Sequence, residues 1–251
     1  MFFFKNNKCY AGMNYKINKK KYKIPKTLIF TDEQKHIHQD VLDGLYNLLK
    51  LTNTLFKDNH IQYFAIAGTL ISAIRHKSFM PWDDDIDMGY FLEEHKKIQS
   101  LKIVLLAYGY NLLECSPGFV IQKITNPKIS MDLFMITKYK STNEYKYCAP
   151  IDIKTNKPTF ETSTFWPKEI FFENELYNLQ EIKFCDITIF VPYDSENILK
   201  RQYSPNVMNE VRGVASTKSH ILRPVQICFP LIEKIFGHTK IAKKMAKKVL
   251  M

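Results

Sequence analysis

Residues 63–89 read YFAIAGTLISAIRHKSFMPWDDDIDMG, and the rest of the chain is most simply understood as a frame for them. The segment opens as a short apolar strand, Tyr63 to Ala67, turns at Gly68-Thr69, continues as a helix, and reaches Pro81-Trp82 and four aspartates within five residues. Such a run of carboxylates calls for a cation. If Ile86 to Tyr90 is a strand, Asp85 and Asp87 project from one face, since alternate residues share a side. Two carboxylates so placed suit Mg²⁺ or Mn²⁺, hard ions that complete their coordination with water and phosphate oxygens. Asp83 shares that face only if the strand extends back to it, and Asp84 is a loop cap or a solvated charge.

Gly68 has no Cβ, so a phosphate or ribose can approach its backbone, and Thr69 is placed to cap the helix that follows. A helix start attracts anions through its free N–H groups. Leu70, Ile71 and Ile74 are expected to face the core, leaving Arg75, His76 and Lys77 as a basic cluster beside the aspartates. Of these, Arg75 is the strongest candidate for bidentate contact with phosphate oxygens; a solvated helix end is the competing reading. Trp82 walls the site or stacks on a base. A phosphate-friendly turn followed by metal-binding aspartates implies phosphoryl transfer.

The run GTLISAIRHKSFMPWDDDID, residues 68–87, resembles the signature of the LicD/fukutin-related family of the nucleotidyltransferase superfamily. The resemblance is dense over residues 63–90 and looser to about residue 211. It implies an α/β (α+β) fold with a mixed sheet and packed helices. It also implies transfer of a phospho-alcohol, such as phosphocholine or ribitol phosphate, from a CDP-linked donor to a glycan or glycolipid hydroxyl. A third carboxylate on a later strand belongs to the superfamily pattern. Asp132, which interrupts the apolar run MDLFMI, is the candidate, because a lone carboxylate there is costly to bury unless paired or metal-bound. By the same resemblance it is a metal ligand or the base that accepts the acceptor's proton. The chain departs from the family at Ser78, where Gly is common, and at Tyr203-Ser204, where Tyr-Gly is. Nucleotidyl transfer to RNA, protein or a small molecule is the alternative, and a non-catalytic glycan- or membrane-binding protein is another. The RHK-x-F-x-PWDDDID context argues against nucleotidyl transfer, and nucleic acid is not an expected partner.

At 251 residues with 45% hydrophobic side chains, the chain can bury a substantial core. Its net charge of +11 favours anionic partners or reflects compositional bias. Five scattered cysteines without a CxxC pair speak against zinc and for reduced thiols. No apolar run approaches the ~18 residues of a membrane span, and Met1-Phe4 is too short for a secretory leader, so a cytoplasmic, at most peripherally membrane-bound, protein is expected. The expected organisation is an irregular basic arm over 1–30, a catalytic domain over 31–228, and a basic amphipathic helix over 229–251 that could touch a membrane.

Within the domain, Thr31-Asp32-Glu33-Gln34 reads as a capping box opening a helix to about Phe56, with His36 and His38 on its surface. Glu93 to Tyr108 reads as a second helix with Ile98, Leu101, Val104, Leu105 and Tyr108 on one face, closed by Gly109. Strands are expected at 119–124 and 129–136, loops or a polar hairpin over 138–166, and a hairpin around Cys185-Asp186 followed by a helix from Asp194 or Ser195 to about Tyr203.

Overall fold

The computed structural model describes residues 8–152 and 157–212. The basic helix expected over 229–251, the boundary at 228 and Cys228 lie outside them. Residues 8–30 are not an irregular arm. β1 (Lys8–Cys9) pairs with β5 (Gln34–Lys35), β2 (Asn14–Ile17) and β3 (Lys20–Lys23) form a hairpin, and β4 (Ile29–Phe30) follows. The lysine-rich composition hides a period of two: Tyr15 and Ile17 point into the core while Asn14 and Lys16 face solvent. Asn18 and Lys19, at φ 45° and 68°, make the tight left-handed turn that a two-residue hairpin requires. The Tyr15 hydroxyl donates to the Phe79 carbonyl at 2.9 Å and lies 2.7 Å from Ser78 Oγ. The departure from Gly at position 78 thus supplies a buried hydroxyl that ties this hairpin to the central motif.

No capping box forms at Thr31, because β5 uses Gln34 and the Thr31 N–H bonds to Val211. α1 (Gln39–Asp58) starts later, with His38 as its N-cap accepting from the Asp40 N–H at 3.3 Å. His36 precedes the helix and is buried, and only His38 is the surface histidine expected. Val41, Leu42, Leu45, Leu48, Leu49 and Phe56 form the buried stripe of α1, as the 3.6-residue period dictates.

β6 (Tyr63–Ala65) leads into α2 (Ala67–Ile71), which widens into a π-helical turn, Ser72–His76, before β7 (Ile86–Phe91). The single helix expected over 93–108 is instead a 3₁₀ turn, Leu92–Glu94, then α3 (His95–Ser100) and α4 (Lys102–Ala107), broken at Leu101. Ile98, Leu101 and Leu105 are buried, whereas Val104 and Tyr108 point to solvent. Gly109 closes α4 at φ 83°, the left-handed conformation a helix end favours.

β8 (Tyr110–Cys115), β9 (Gly118–Lys123), β10 (Ser130–Lys138) and β11 (Glu144–Tyr147) complete the frame. β7 and β10 run parallel, β9 and β11 pair with successive parts of β10, and β6 flanks β7. The polar hairpin expected within 138–166 is present, with Lys138 opposite Tyr145 and Ile136 opposite Tyr147. β12 (Ala149–Asp152) and β13 (Lys157–Thr159) form a small hairpin, β14 (Phe171–Phe172) adds to β11, and α5 (Glu173–Leu176) follows. β15 (Gln180–Phe184) and β16 (Ile187–Val191) form the expected hairpin, with Cys185 at φ 55° in its turn, then α6 (Ser195–Gln202) and β17 (Glu210–Val211), which pairs with β4. The architecture is the mixed α/β sheet with packed helices that the sequence implies. Cys9, Cys115, Cys148 and Cys185 are buried free thiols. No helix among the described residues is long and apolar enough to cross a membrane.

The β9–β10 hairpin leaves no space at Gly118, where a Cβ would fall 2.1 Å from the Leu133 carbonyl oxygen. Backbone cannot yield as a side chain can. Gly118→Ala is expected to destabilise the protein by roughly 2–4 kcal/mol, read as a lower denaturant midpoint.

Candidate active site

Asp132 stands directly opposite Asp87 in the parallel β7–β10 register, so strand pairing rather than sequence proximity brings the two carboxylates together. Asp85 sits one residue before β7, and one carboxylate oxygen from each of Asp85, Asp87 and Asp132 lies within 4.8 Å of the others. Asp83, Asp84 and Asp85 form a second such group. Burial and mutual repulsion set the electrostatics. Burial, then Asp85, Asp132 and Asp83, hold the Asp87 carboxyl well above its ordinary range, although the Gly68 N–H donates to it. Burial, Asp85 and Asp84 do the same to Asp83, against Arg75 and a hydrogen bond from Ser72. Asp85 is pushed up to about 7 by burial and Asp84. A cluster this short of counter-charge fits a hard divalent cation, and Asp85, Asp87 and Asp132 are the residues that would hold it.

The residues around the carboxylates serve purposes other than several of those expected. Gly68 is needed for Asp83, whose Oδ2 would lie 3.0 Å from a Cβ at that position. Thr69 does not cap the helix, because α2 begins at Ala67 behind Ile66 and Thr69 is already inside it. Its buried hydroxyl accepts from the Asp87 N–H at 2.9 Å, fixing the start of β7 against α2. The entry itself bends through Ala67 at φ 45°, a conformation that is costly for a residue with a Cβ.

The basic cluster is dispersed. Arg75 donates through Nη1 to the Val207 and Glu210 carbonyls at 2.7 and 2.9 Å, so it staples residues 207–210 to the motif rather than presenting a free fork to phosphate. Burial and the Arg75 charge lower His76 to about 3, so the imidazole is neutral and is no anion clamp. Lys77 takes φ 57° at the end of the π turn, its carbonyl accepting from Cys185 at 2.8 Å. Trp82 packs edge-on against Phe30 and His76, with ring centres 5.4 and 5.5 Å away.

Three residues near the carboxylates escaped sequence reasoning. The Tyr147 phenol is held well above its ordinary range by burial, then by Glu169 and Asp87. The Tyr203 phenol is held there by burial, then by Asp87, Glu169, Asp83 and Asp85. Both therefore face the aspartates and Glu169. Tyr147 is almost wholly enclosed, whereas Tyr203 is 46% exposed as a whole residue while its hydroxyl end is the enclosed part that senses the aspartates. The conspicuous Tyr203-Ser204 pair was the available signal. A groove of 1140 Å³ bordered by Lys57, Phe91, Tyr145 and Phe190 contains none of the aspartates.

A family model, LicD/FKTN/FKRP, nucleotidyltransferase domain, matches residues 60–194. The chain belongs to that family. An uncharacterised protein of Rickettsia prowazekii is 32% identical over 160 residues, 64% of this chain and 54% of its own length. The lipopolysaccharide cholinephosphotransferase LicD of Haemophilus influenzae is 45% identical over 51 residues, 20% of this chain and 19% of that protein. The human ribitol 5-phosphate transferase FKRP is 24% identical over 149 residues, 59% and 28% of the two chains. The chain spans about half the length of the Rickettsia protein. Among solved structures, a lincosamide antibiotic adenylyltransferase aligns with a TM-score of 0.40 and 13% identity over 69% of this chain and 96% of that one. The LicD-family match encloses Asp85, Asp87 and Asp132 and ends before Tyr203.

The clustered carboxyls make metal-free stability fall with pH. Asp85, at about 7 in the fold against an ordinary 3.8, binds its proton more tightly folded than unfolded, as do Asp83 and Asp87. The folded chain therefore carries the extra protons, and this contribution is fully present below about pH 4 and lost as pH rises through about 7. In EDTA the thermal midpoint is expected to drop from pH 5 to pH 8. Asp87→Asn should raise the midpoint at pH 8 and flatten the drop, and an equal drop in the variant would count against the repulsion.

Proposed function

We propose that this LicD-family domain transfers a phospho-alcohol group, phosphocholine, ribitol phosphate or a similar group, from a CDP-linked donor to a hydroxyl of a glycan or glycolipid. What supports the reading is the triad of carboxylate oxygens within 4.8 Å, Asp87 and Asp132 on two parallel strands and Asp85 just before the first of them, in a family whose relatives include a cholinephosphotransferase and a ribitol 5-phosphate transferase. Mg²⁺ or Mn²⁺ on Asp85, Asp87 and Asp132 would neutralise charge on the donor phosphates.

The chain's own residues supply the rest. Asp132, on the strand paired with that of Asp87, takes the proton of the acceptor hydroxyl. The acceptor oxygen forms a bond to the phosphorus that carries the alcohol as that phosphorus loses its bridging oxygen, and CMP leaves with the electron pair. Thr69 and the Gly68 N–H keep Asp87 oriented. Because Arg75 is engaged by carbonyls and His76 is neutral, the protonated phenol of Tyr203, which interacts with Asp87, Asp83 and Asp85, would be the candidate donor to the reacting phosphoryl oxygens. Arg75 is a positioning residue for the segment that carries it.

The transferase reading is tested with a panel of CDP-choline, CDP-ribitol, CDP-glycerol, CTP, ATP and UDP-sugars, with Mg²⁺ or EDTA. One CDP-alcohol is expected to raise the thermal midpoint only with Mg²⁺, and Asp87→Asn is expected to cut turnover by at least about a hundredfold while the chain stays folded. Stabilisation by nucleoside triphosphates alone would instead indicate nucleotidyl transfer.

Tyr203→Phe separates the phenol's role from packing. The expected result is a kcat lower by about 10- to 100-fold with KM little changed. A change confined to the melting temperature would reduce Tyr203 to a structural residue.

A further inference from the structure

α4 is a six-residue helix, KIVLLA, of which only Leu105 is buried. Ile103 is 80% exposed and Leu106, on the same face three residues on, 53%. Tyr108 at the helix end is 61% exposed, and Ile124, whose N–H bonds to the Gly109 carbonyl at 3.0 Å, is 48% exposed. Single exposed aliphatics are ordinary, but an apolar ridge with an aromatic at its end is the surface soluble chains avoid unless something covers it. Around this ridge the charge is one-sided. Residues 95–130 contain five lysines and a single carboxylate, Glu114, which lies 3.5 Å from His95. Lys97 is paired with Glu94, whereas Lys96 and Lys102 are exposed and have no ion pair among the described residues.

The geometry points to α4 and its lysines as a surface for the headgroup layer of an anionic bilayer. Ile103 and Leu106 would enter the acyl boundary, Tyr108 would sit at the interface, and Lys96 and Lys102 would meet the lipid phosphates. A second copy of the chain is a poorer occupant, because a two-fold contact on this face would set these lysines against their own equivalents. The placement relative to the aspartates is also suitable. α4 packs on β8, and Leu113, Val120, Asp132 and Asp87 form one lateral row across β8, β9, β10 and β7. Three strand spacings separate β8 from Asp87, about 14 Å, so a bilayer met at α4 would lie beside the site. The surface does not depend on the transferase reading, and either could fail alone.

Co-sedimentation of the full chain with phosphatidylcholine vesicles, with and without phosphatidylglycerol, tests it. Binding is expected only to the anionic vesicles and is expected to weaken with salt. Ile103→Asn/Leu106→Asn and Lys96→Gln/Lys102→Gln should each weaken it by about tenfold or more, with the melting temperature unchanged because all four side chains are exposed. Three results would overturn the assignment: no binding by the parent chain, both variants binding like the parent, or a concentration-dependent dimer that Ile103→Asn/Leu106→Asn dissolves. The second would place the lipid contact elsewhere, and the third would make the ridge a contact between copies.

Discussion

Mutual repulsion among Asp83, Asp85, Asp87 and Asp132 is the constraint the rest of the structure answers to. Like charges at these separations in a partly enclosed site oppose folding, yet the parallel pairing of β7 with β10 places Asp87 and Asp132 side by side. Neighbouring groups then restrain what the pairing creates. The Gly68 N–H and the Thr69 hydroxyl grip the carboxylate and the N–H of Asp87 from opposite ends of the same residue, and Ser72 bonds Asp83. All three anchors come from one turn of chain after β6. That is why a Gly-Thr turn and an Asp-x-Asp strand, some 15–20 residues apart, behave as one unit.

The same economy explains the wider architecture. Tyr15 reaches in from the N-terminal hairpin to Ser78 and Phe79, Cys185 from the β15–β16 turn to Lys77, and Val207 and Glu210 to Arg75. Three segments far apart in sequence thus bond to the loop between α2 and β7. A loop that must hold several carboxylates close together cannot be left to its own entropy, and these cross-braces confine it.

What the sequence revealed and concealed follows from the range of the interactions involved. Apolar periodicity made α1, β7, β10, the β15–β16 hairpin and α6 legible, because alternation and the 3.6-residue repeat are local. Asp85 and Asp87 were legible for the same reason, and Asp132 because a carboxylate in an apolar strand is conspicuous. The N-terminal strands were missed because lysines dominate a pattern whose few buried members are Cys9, Tyr15 and Ile17. The start of α1 was misplaced because Gln34 has a β partner 25 residues upstream, at Cys9, and a capping motif gives no warning of competition from a strand. The roles of Arg75 and His76 were misread for a similar reason. Their chemistry is decided by Val207, Glu210 and burial, none of which is local to the RHK triplet.

Net charge and local charge point in opposite directions here. The chain carries 36 basic and 25 acidic side chains, yet the site is acidic, its nearest guanidinium is bound to carbonyls, and its histidine is neutral. The basic excess therefore acts at a distance, drawing anions toward the molecule over roughly a Debye length. At contact range an anionic phosphate would meet carboxylates and be repelled. A divalent cation on those carboxylates reverses the local sign, so attraction at long range and binding at short range become consistent only for the metal-loaded site. A basic protein with an acidic centre is thus compatible with the metal-dependent transfer proposed above.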